Sequence, residues 1–318
     1  MKLKKMVSVL LVLAFATLLF AGCAQTPSAP INVGGLKGPT GMGMTKLMGE
    51  EYAEKYAVTL TGAPDDITAK LISGELDVAA VPVNLASVLY NKTEGDIVML
   101  AVNTLGVLYV LENGDTVHSL ADLSGKTLLA TGQGSTPEYM LNYLLAGAGL
   151  ADSVTVEYKA EHSELATLMA SGDVALGMLP EPNVTSVLMG NENVRIALDL
   201  TEIWKEAAGV EPVQGCIVAR KEYLDQNKKA VEAFLADYAK SVAYVNENID
   251  DAAALMETYG VIPKAAVAKN AIPNSNIVCV TGADMRTMAE AMLTVLFDAN
   301  PKSVGGALPG DDFYYSGK

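Results

Sequence analysis

Short, apolar, β-rich runs alternate with helical patterns along almost the whole chain, and that alternation limits the fold more than any other feature. The predicted strands are 31–34, 57–60, 78–81, 97–102, 107–111, 126–130, 154–158, 174–178, 194–198 and 216–219. Between them the periodicity predicts helices over 42–56, 67–72, 85–91, 137–145 and 164–170. Strands and helices taken in turn build βαβ units, in which parallel sheets are covered by helices. After Lys221 the pattern becomes helical, over 228–246, 252–259 and 283–298, and closes in a Gly/Pro-rich tail with Phe313, Tyr314 and Tyr315.

A faint internal repeat runs through the first two thirds at an offset of 96 residues: Thr40 matches Thr136, Met44 matches Met140, and Asp77-Val78-Ala79 matches Asp173-Val174-Ala175. Such a period is far too long for a solenoid. It predicts two lobes of similar architecture, which would enclose a cleft.

The N-terminus addresses the compartment. Lys2, Lys4 and Lys5 precede a 14-residue apolar stretch from Val7 to Phe20. That length fits the core of a signal peptide better than a membrane span. The run Leu19-Phe20-Ala21-Gly22-Cys23 resembles a bacterial lipobox, with Phe20 in the place of the usual leucine, and implies acylation of Cys23. Residues 1–22 are therefore read as a signal peptide and 23–30 as the lipidated cysteine with a flexible tether. The 296 residues that follow cleavage suffice for one large or two medium domains. Without the three signal lysines, 19 Lys and Arg stand against 37 Asp and Glu, a net charge of −18. An acidic chain has no electrostatic reason to hold nucleic acid or an anionic membrane surface. Cys216 and Cys279 are too few for a disulfide scaffold or a zinc site and read as buried thiols.

In open α/β sheets ligands sit beyond the carboxyl ends of strands, where the next helix begins. That rule nominates two matched loops. Lys37, Gly38, Pro39, Thr40, Gly41 and Met42 follow the first strand of one half; Gln133, Gly134, Ser135 and Thr136 follow the first strand of the other. Glycine admits close backbone approach, and N–H groups at a helix start suit an anionic or strongly polar group. Each loop taken singly also reads as an ordinary turn with an N-cap. Lys37 either supplies a charge to the ligand or is a solvated loop lysine. Asn84 and Glu181 stand at further strand-to-helix junctions; Asn84 can orient a polar ligand, while Glu181 either faces the cleft or caps a helix. Asn103 belongs to the segment 101–105, which with 211–215 carries the chain between lobes and holds the hinge candidates Gly106 and Gly215. Tyr139, Tyr158 and Tyr314 could stack on a ring or serve packing alone. Met42 and Met44 could line an adaptable wall.

Signs of catalysis are sparse. There is no GxxxxGK[ST], GxGxxG, HExxH or GxSxG pattern, and His118 and His162 read as surface residues. Asp65-Asp66, Asp250-Asp251 and Asp311-Asp312 lie at helix starts or near the terminus, where complementing the helix dipole accounts for them. No metal or cofactor is expected.

Taken in order, Gly35 to Met44, Gly74 to Pro82, Asp122 to Lys126, Gly132 to Ser135, Ser171 to Ala175, Gln214 to Tyr223 and Asn300 to Gly306 resemble bacterial solute-binding lipoproteins of the nitrate/sulfonate/taurine-type ABC transporter group. The resemblance covers residues 31–318. It implies an α/β type II periplasmic-binding-protein fold, each lobe a mostly parallel sheet flanked by helices. Lobe one would be discontinuous, from 31–103 plus 214–318, with 104–213 as lobe two. The resemblance further implies a monomer anchored to the membrane by lipid outside the cytoplasm. It would close around a small molecule and dock on an ABC permease with a cytoplasmic ATPase. The ligand is left open between a sulfonate- or nitrate-like anion and a polar organic molecule of the vitamin-precursor kind. The scarcity of arginine, only Arg195, Arg220 and Arg286, argues against a strongly charged anion. Two other classes stay in view: an enzyme, because pyrimidine- and menaquinone-pathway enzymes share this fold, and a sensing or adhesive lipoprotein without a permease.

Overall fold

Strands β1 (Ile31–Leu36), β2 (Tyr56–Thr61), β3 (Val78–Pro82), β4 (Ile97–Thr104), β5 (Leu108–Asn113), β6 (Thr127–Thr131), β7 (Thr155–Lys159), β8 (Leu176–Pro180), β9 (Val194–Asp199), β10 (Gly215–Arg220) and β11 (Ile277–Val280) form two sheets in a computed structural model that describes residues 29–317. The expected signal peptide and Cys23, the expected acylation site, lie outside the described residues. The six-stranded sheet has the order β11-β4-β10-β3-β1-β2 and the five-stranded sheet β7-β6-β8-β5-β9. In the first, β1 pairs in parallel with β2 and β3, and β10 enters antiparallel between β3 and β4. In the second, β6 pairs in parallel with β7 and β8, and β5 enters antiparallel between β8 and β9. The two sheets repeat one plan, in keeping with the internal repeat. Each is mixed: strands of one direction plus the strand the chain lays down on arriving from the other sheet, to which the six-stranded sheet adds β11, antiparallel to β4 at its edge.

The helices are α1 (Pro39–Met42), α2 (Pro64–Ser73), α3 (Val83–Lys92), α4 (Thr136–Gly147), α5 (His162–Ser171), α6 (Asn183–Gly190), α7 (Leu200–Ala208), α8 (Lys221–Gln226), α9 (Lys228–Glu247), α10 (Ile249–Thr258), α11 (Ala265–Ala271) and α12 (Gly282–Ala299). Central strands are largely apolar and covered on both faces: β3 and β4 are buried at every position, with Asn103 and Thr104 the polar end of β4. Edge strand β7 keeps polar, partly exposed residues, which blunt its free edge. One apolar cluster passes through both sheets, joining Leu36, Val81 and Val102 to Val110, Leu128 and Met140.

Two expectations need correction. The helix expected over 42–56 is one turn, α1, followed by 3-10 turns at Thr45–Met48 and Glu50–Tyr52. Gly41, Gly43 and Gly49 weaken a helix there. Strand β11 was not expected; it is four residues long, only partly buried, and pairs irregularly with β4.

The two passages between sheets lie side by side. Gln214 donates its N–H to the Thr104 carbonyl at 3.0 Å, Leu105 donates to the Asn276 carbonyl at 3.1 Å, and Asn276 Nδ2 donates to the Gly106 carbonyl at 2.6 Å. Gly106 is there for space: a Cβ on it would lie 2.3 Å from Thr201 Cγ2.

Candidate functional site

Beyond the carboxyl ends of β1 and β6 the chain encloses a cavity of about 500 Å³, within the usual range for small-molecule sites. Both sheets contribute to its wall. From the first come Lys37, Pro39 and Thr40, the β2–α2 turn from Gly62 to Asp65, and Pro82; from the second come Gly132 to Ser135, Pro137, the β7–α5 turn from Tyr158 to His162, and Pro180. Gln214 adds a side from the returning chain.

The first loop is held by close packing. A Cβ on Gly41 would sit 2.2 Å from the Leu36 carbonyl oxygen, so only glycine lets the chain double back after β1. Lys37 donates its N–H to the Thr61 carbonyl at 2.9 Å, and Met42 donates to Gly38 at 3.2 Å. Asn103, fully buried, stands behind the loop and donates Nδ2 to the Thr40 carbonyl at 3.0 Å.

The second loop is held by hydrogen bonds. Gly134 adopts φ 74°, a left-handed conformation glycine takes without strain. Its N–H donates to Glu138 Oε2 at 2.5 Å, from the first turn of the same helix. Its carbonyl accepts from Asn84 Nδ2 at 3.3 Å, and the Thr136 hydroxyl donates to Asn84 Oδ1 at 3.0 Å. Asn84 Nδ2 also donates to the Ser303 carbonyl at 3.1 Å. Asn84 and Thr136 are both buried, so Asn84 ties the second-sheet loop to the first sheet.

His162, read from sequence as a surface residue, lines the cavity, with Nδ1 2.7 Å from the Thr131 hydroxyl. Enclosure by protein pushes its imidazole down to about 4 and keeps it neutral at pH 7, although the cavity leaves the ring in partial contact with solvent. Tyr158 lines the same wall, and its buried hydroxyl has no hydrogen-bond partner among the described residues. Burial holds that phenol well above its ordinary range.

The structure brings Lys37, Pro39, Thr40, Gln133, Gly134 and Ser135 together around the cavity. Other candidates stand elsewhere. Met42 is fully buried in the first-sheet core with Met44, Phe234 and Tyr238. Glu181 is buried and spends both carboxylate oxygens on Thr185, accepting its N–H at 3.0 Å and its hydroxyl at 2.9 Å, which secures the start of α6. Burial outweighs those bonds and raises its pKa. Tyr139 lines a different hollow of about 700 Å³ between α4 and α12, together with Tyr143 and Val295. Tyr314 packs edge-on against Phe313. The β2–α2 turn, and the β7–α5 turn apart from the candidate Tyr158, were missed. They too are strand-to-helix junctions, so the rule that nominated the first pair of loops could have found them.

All three arginines are paired: Arg195 with Glu112 at 2.7 Å, Arg220 with Asp77 at 3.1 Å, and Arg286 with Glu290 at 3.3 Å. Among the described residues no group of His, Cys, Asp or Glu is placed to hold a metal ion, and no helix is long and apolar enough to cross a membrane. Cys216 and Cys279 are free thiols.

The family model described as menaquinone biosynthesis matches residues 42–270. No curated protein matches the chain. Among solved structures, an ABC transporter protein from Parabacteroides distasonis is similar at 23% identity and TM-score 0.75, covering 91% of this chain and 99% of that one. The periplasmic aliphatic sulphonate binding protein SsuA of Escherichia coli is similar at 17% identity and TM-score 0.72, over 91% and 92% of the two chains. The alkanesulfonate-binding protein SsuA of Xanthomonas axonopodis pv. citri, bound to MOPS, is similar at 15% identity and TM-score 0.68, over 90% and 96%. The fold is that of periplasmic binding proteins, two sheets flanked by helices.

Proposed function

The chain belongs to the menaquinone biosynthesis family, and we propose that this member is the extracytoplasmic solute-binding component of an ABC importer. The cavity between the two sheets carries the reading: residues from both halves line one wall around a volume suited to a small molecule. On this reading the lobes are 31–103 plus 214–318 and 104–213, hinged at the paired passages near Thr104 and Gln214. The ligand stabilises the closed form because it touches both lobes there, and a permease distinguishes closed from open protein. Cys23, acylated after removal of residues 1–22, would tether the domain to the membrane. The fold shared with the sulphonate-binding neighbours supports solute capture.

A second reading, an enzyme of menaquinone biosynthesis, is favoured by the family match itself. One experiment separates the two. Residues 24–318 are purified, denatured to release carried compounds, refolded, and re-exposed to each compound found by mass spectrometry. Saturable binding with the compound recovered unchanged supports the importer component. Conversion to a product of different mass establishes the enzyme. Absence of saturable binding overturns both.

A further inference from the structure

We propose that the cavity selects an uncharged, flat heterocyclic solute and disfavours sulfonates, nitrate and other anions; this inference rests on the solute-capture reading above. An anion at a helix start needs free N–H groups and an uncompensated positive dipole end. At α2 and α4 the donors are reduced, while α5 starts without proline. Helices α2 and α4 open at the cavity with proline in the first turn, Pro64 and Pro137, which removes an N–H donor from each. The same starts already carry carboxylates. Asp65 lies in the first turn of α2, Glu138 in that of α4, and Glu161 at the N-cap of α5, followed by Glu164. The amide of Gly134, in the loop that lines the cavity, is taken by Glu138 Oε2 at 2.5 Å.

Cationic compensation is thin. Lys159 pairs with Glu164 at 3.1 Å, and Lys37 is solvent-exposed on the wall. The three guanidinium groups are paired elsewhere. Five prolines, Pro39, Pro64, Pro82, Pro137 and Pro180, line the wall between its polar groups, with Tyr158 among them. Rigid pyrrolidine faces and a phenol ring suit the face of a planar ring. Gln133, Gln214, Thr40, Ser135 and the neutral His162 offer both donors and acceptors to polar ring edges.

Charge is isolated by matched probes on residues 24–318 freed of carried ligand: uracil against orotate and nicotinamide against nicotinate, with taurine and nitrate as simple anions. Binding is followed by thermal shift and calorimetry. The expected result is saturable binding of a neutral ring, at least about tenfold tighter than its carboxylate partner, as one unfavourable charge contact of ordinary size would give. E138A and P137A, each checked for an unchanged circular dichroism spectrum, should narrow that gap by freeing or restoring an N–H. Equal or tighter binding of orotate, nicotinate, taurine or nitrate by the unaltered protein overturns the ligand class and leaves solute capture standing. Failure of every probe also overturns the class. Capture itself then falls only if the compounds carried from the host fail to rebind.

Discussion

The two loops that enclose the cavity follow strands of the same rank in the two sheets, yet they are secured by different means. The loop after β1 is wedged: Gly41 sits against the Leu36 carbonyl, the helix stops after one turn, and Asn103 props it from behind. The loop after β6 has open space around Gly134 and is held by the polar groups of Glu138 and Asn84. A common backbone plan therefore does not imply common tolerance. One loop is stiff because nothing else fits; the other keeps its shape through bonds that a substitution can remove singly.

The contrast breaks most sharply at the glycines. Gly41→Val should cost about 3 kcal/mol or more, because backbone must move to relieve the overlap. Urea unfolding measures it, and a loss under 1 kcal/mol, estimated on the same overpacking scale, would mean the wedge is soft. Next in size, Asn84→Ala should cost about 2 kcal/mol by leaving buried polar groups without partners. Thr136→Val should cost less, since it breaks only one of those bonds; equal losses would place the tie elsewhere.

A smaller effect comes through His162. Its folded-state pKa of about 4 lies below the ordinary 6.5, so the unfolded chain binds the proton more readily. The neutral ring's stabilisation is complete above pH 6.5 and is lost as pH falls towards 4. Allowing for solvent reaching the ring through the cavity, about 1 kcal/mol should disappear between about pH 7 and pH 5. His162→Gln should flatten that slope in paired unfolding curves, and an unchanged slope would assign it to other groups. Smallest of all, Gly134→Ala should cost about 1 kcal/mol, the strain of a left-handed conformation with no clash.

Much of this architecture is legible in the chain because short-range pattern carries it. The runs at 78–81 and 97–102 read as strands since both faces are buried, and each lies within the observed element. The offset of 96 residues foreshadows two sheets of one plan because β1 and β6 each begin a βαβ unit. The helix expected over 42–56 failed where Gly41 and Gly43 answer to distant atoms, the Leu36 carbonyl and the Tyr238 hydroxyl, which no local pattern reveals. Candidate site residues divide in the same way. The loops around Thr40 and Ser135 follow from a rule about strand ends. Burial of Met42, use of Glu181 on Thr185 and placement of His162 in the cavity wall depend on what packs from elsewhere.

The position of β4 has a consequence for how the chain is made. Its neighbours on both sides, β10 and β11, come from residues 215–220 and 277–280. A ribosome that has delivered the whole of the second sheet has therefore produced a first sheet whose strand at 97–104, apolar from Ile97 to Val102, is still unpaired. Such long-range closure is slow, and an open apolar edge invites association with other chains. Synthesis of this protein thus carries a long interval in which a holding chaperone, or transport in an unfolded state, would protect yield more than any stabilising substitution in the finished fold.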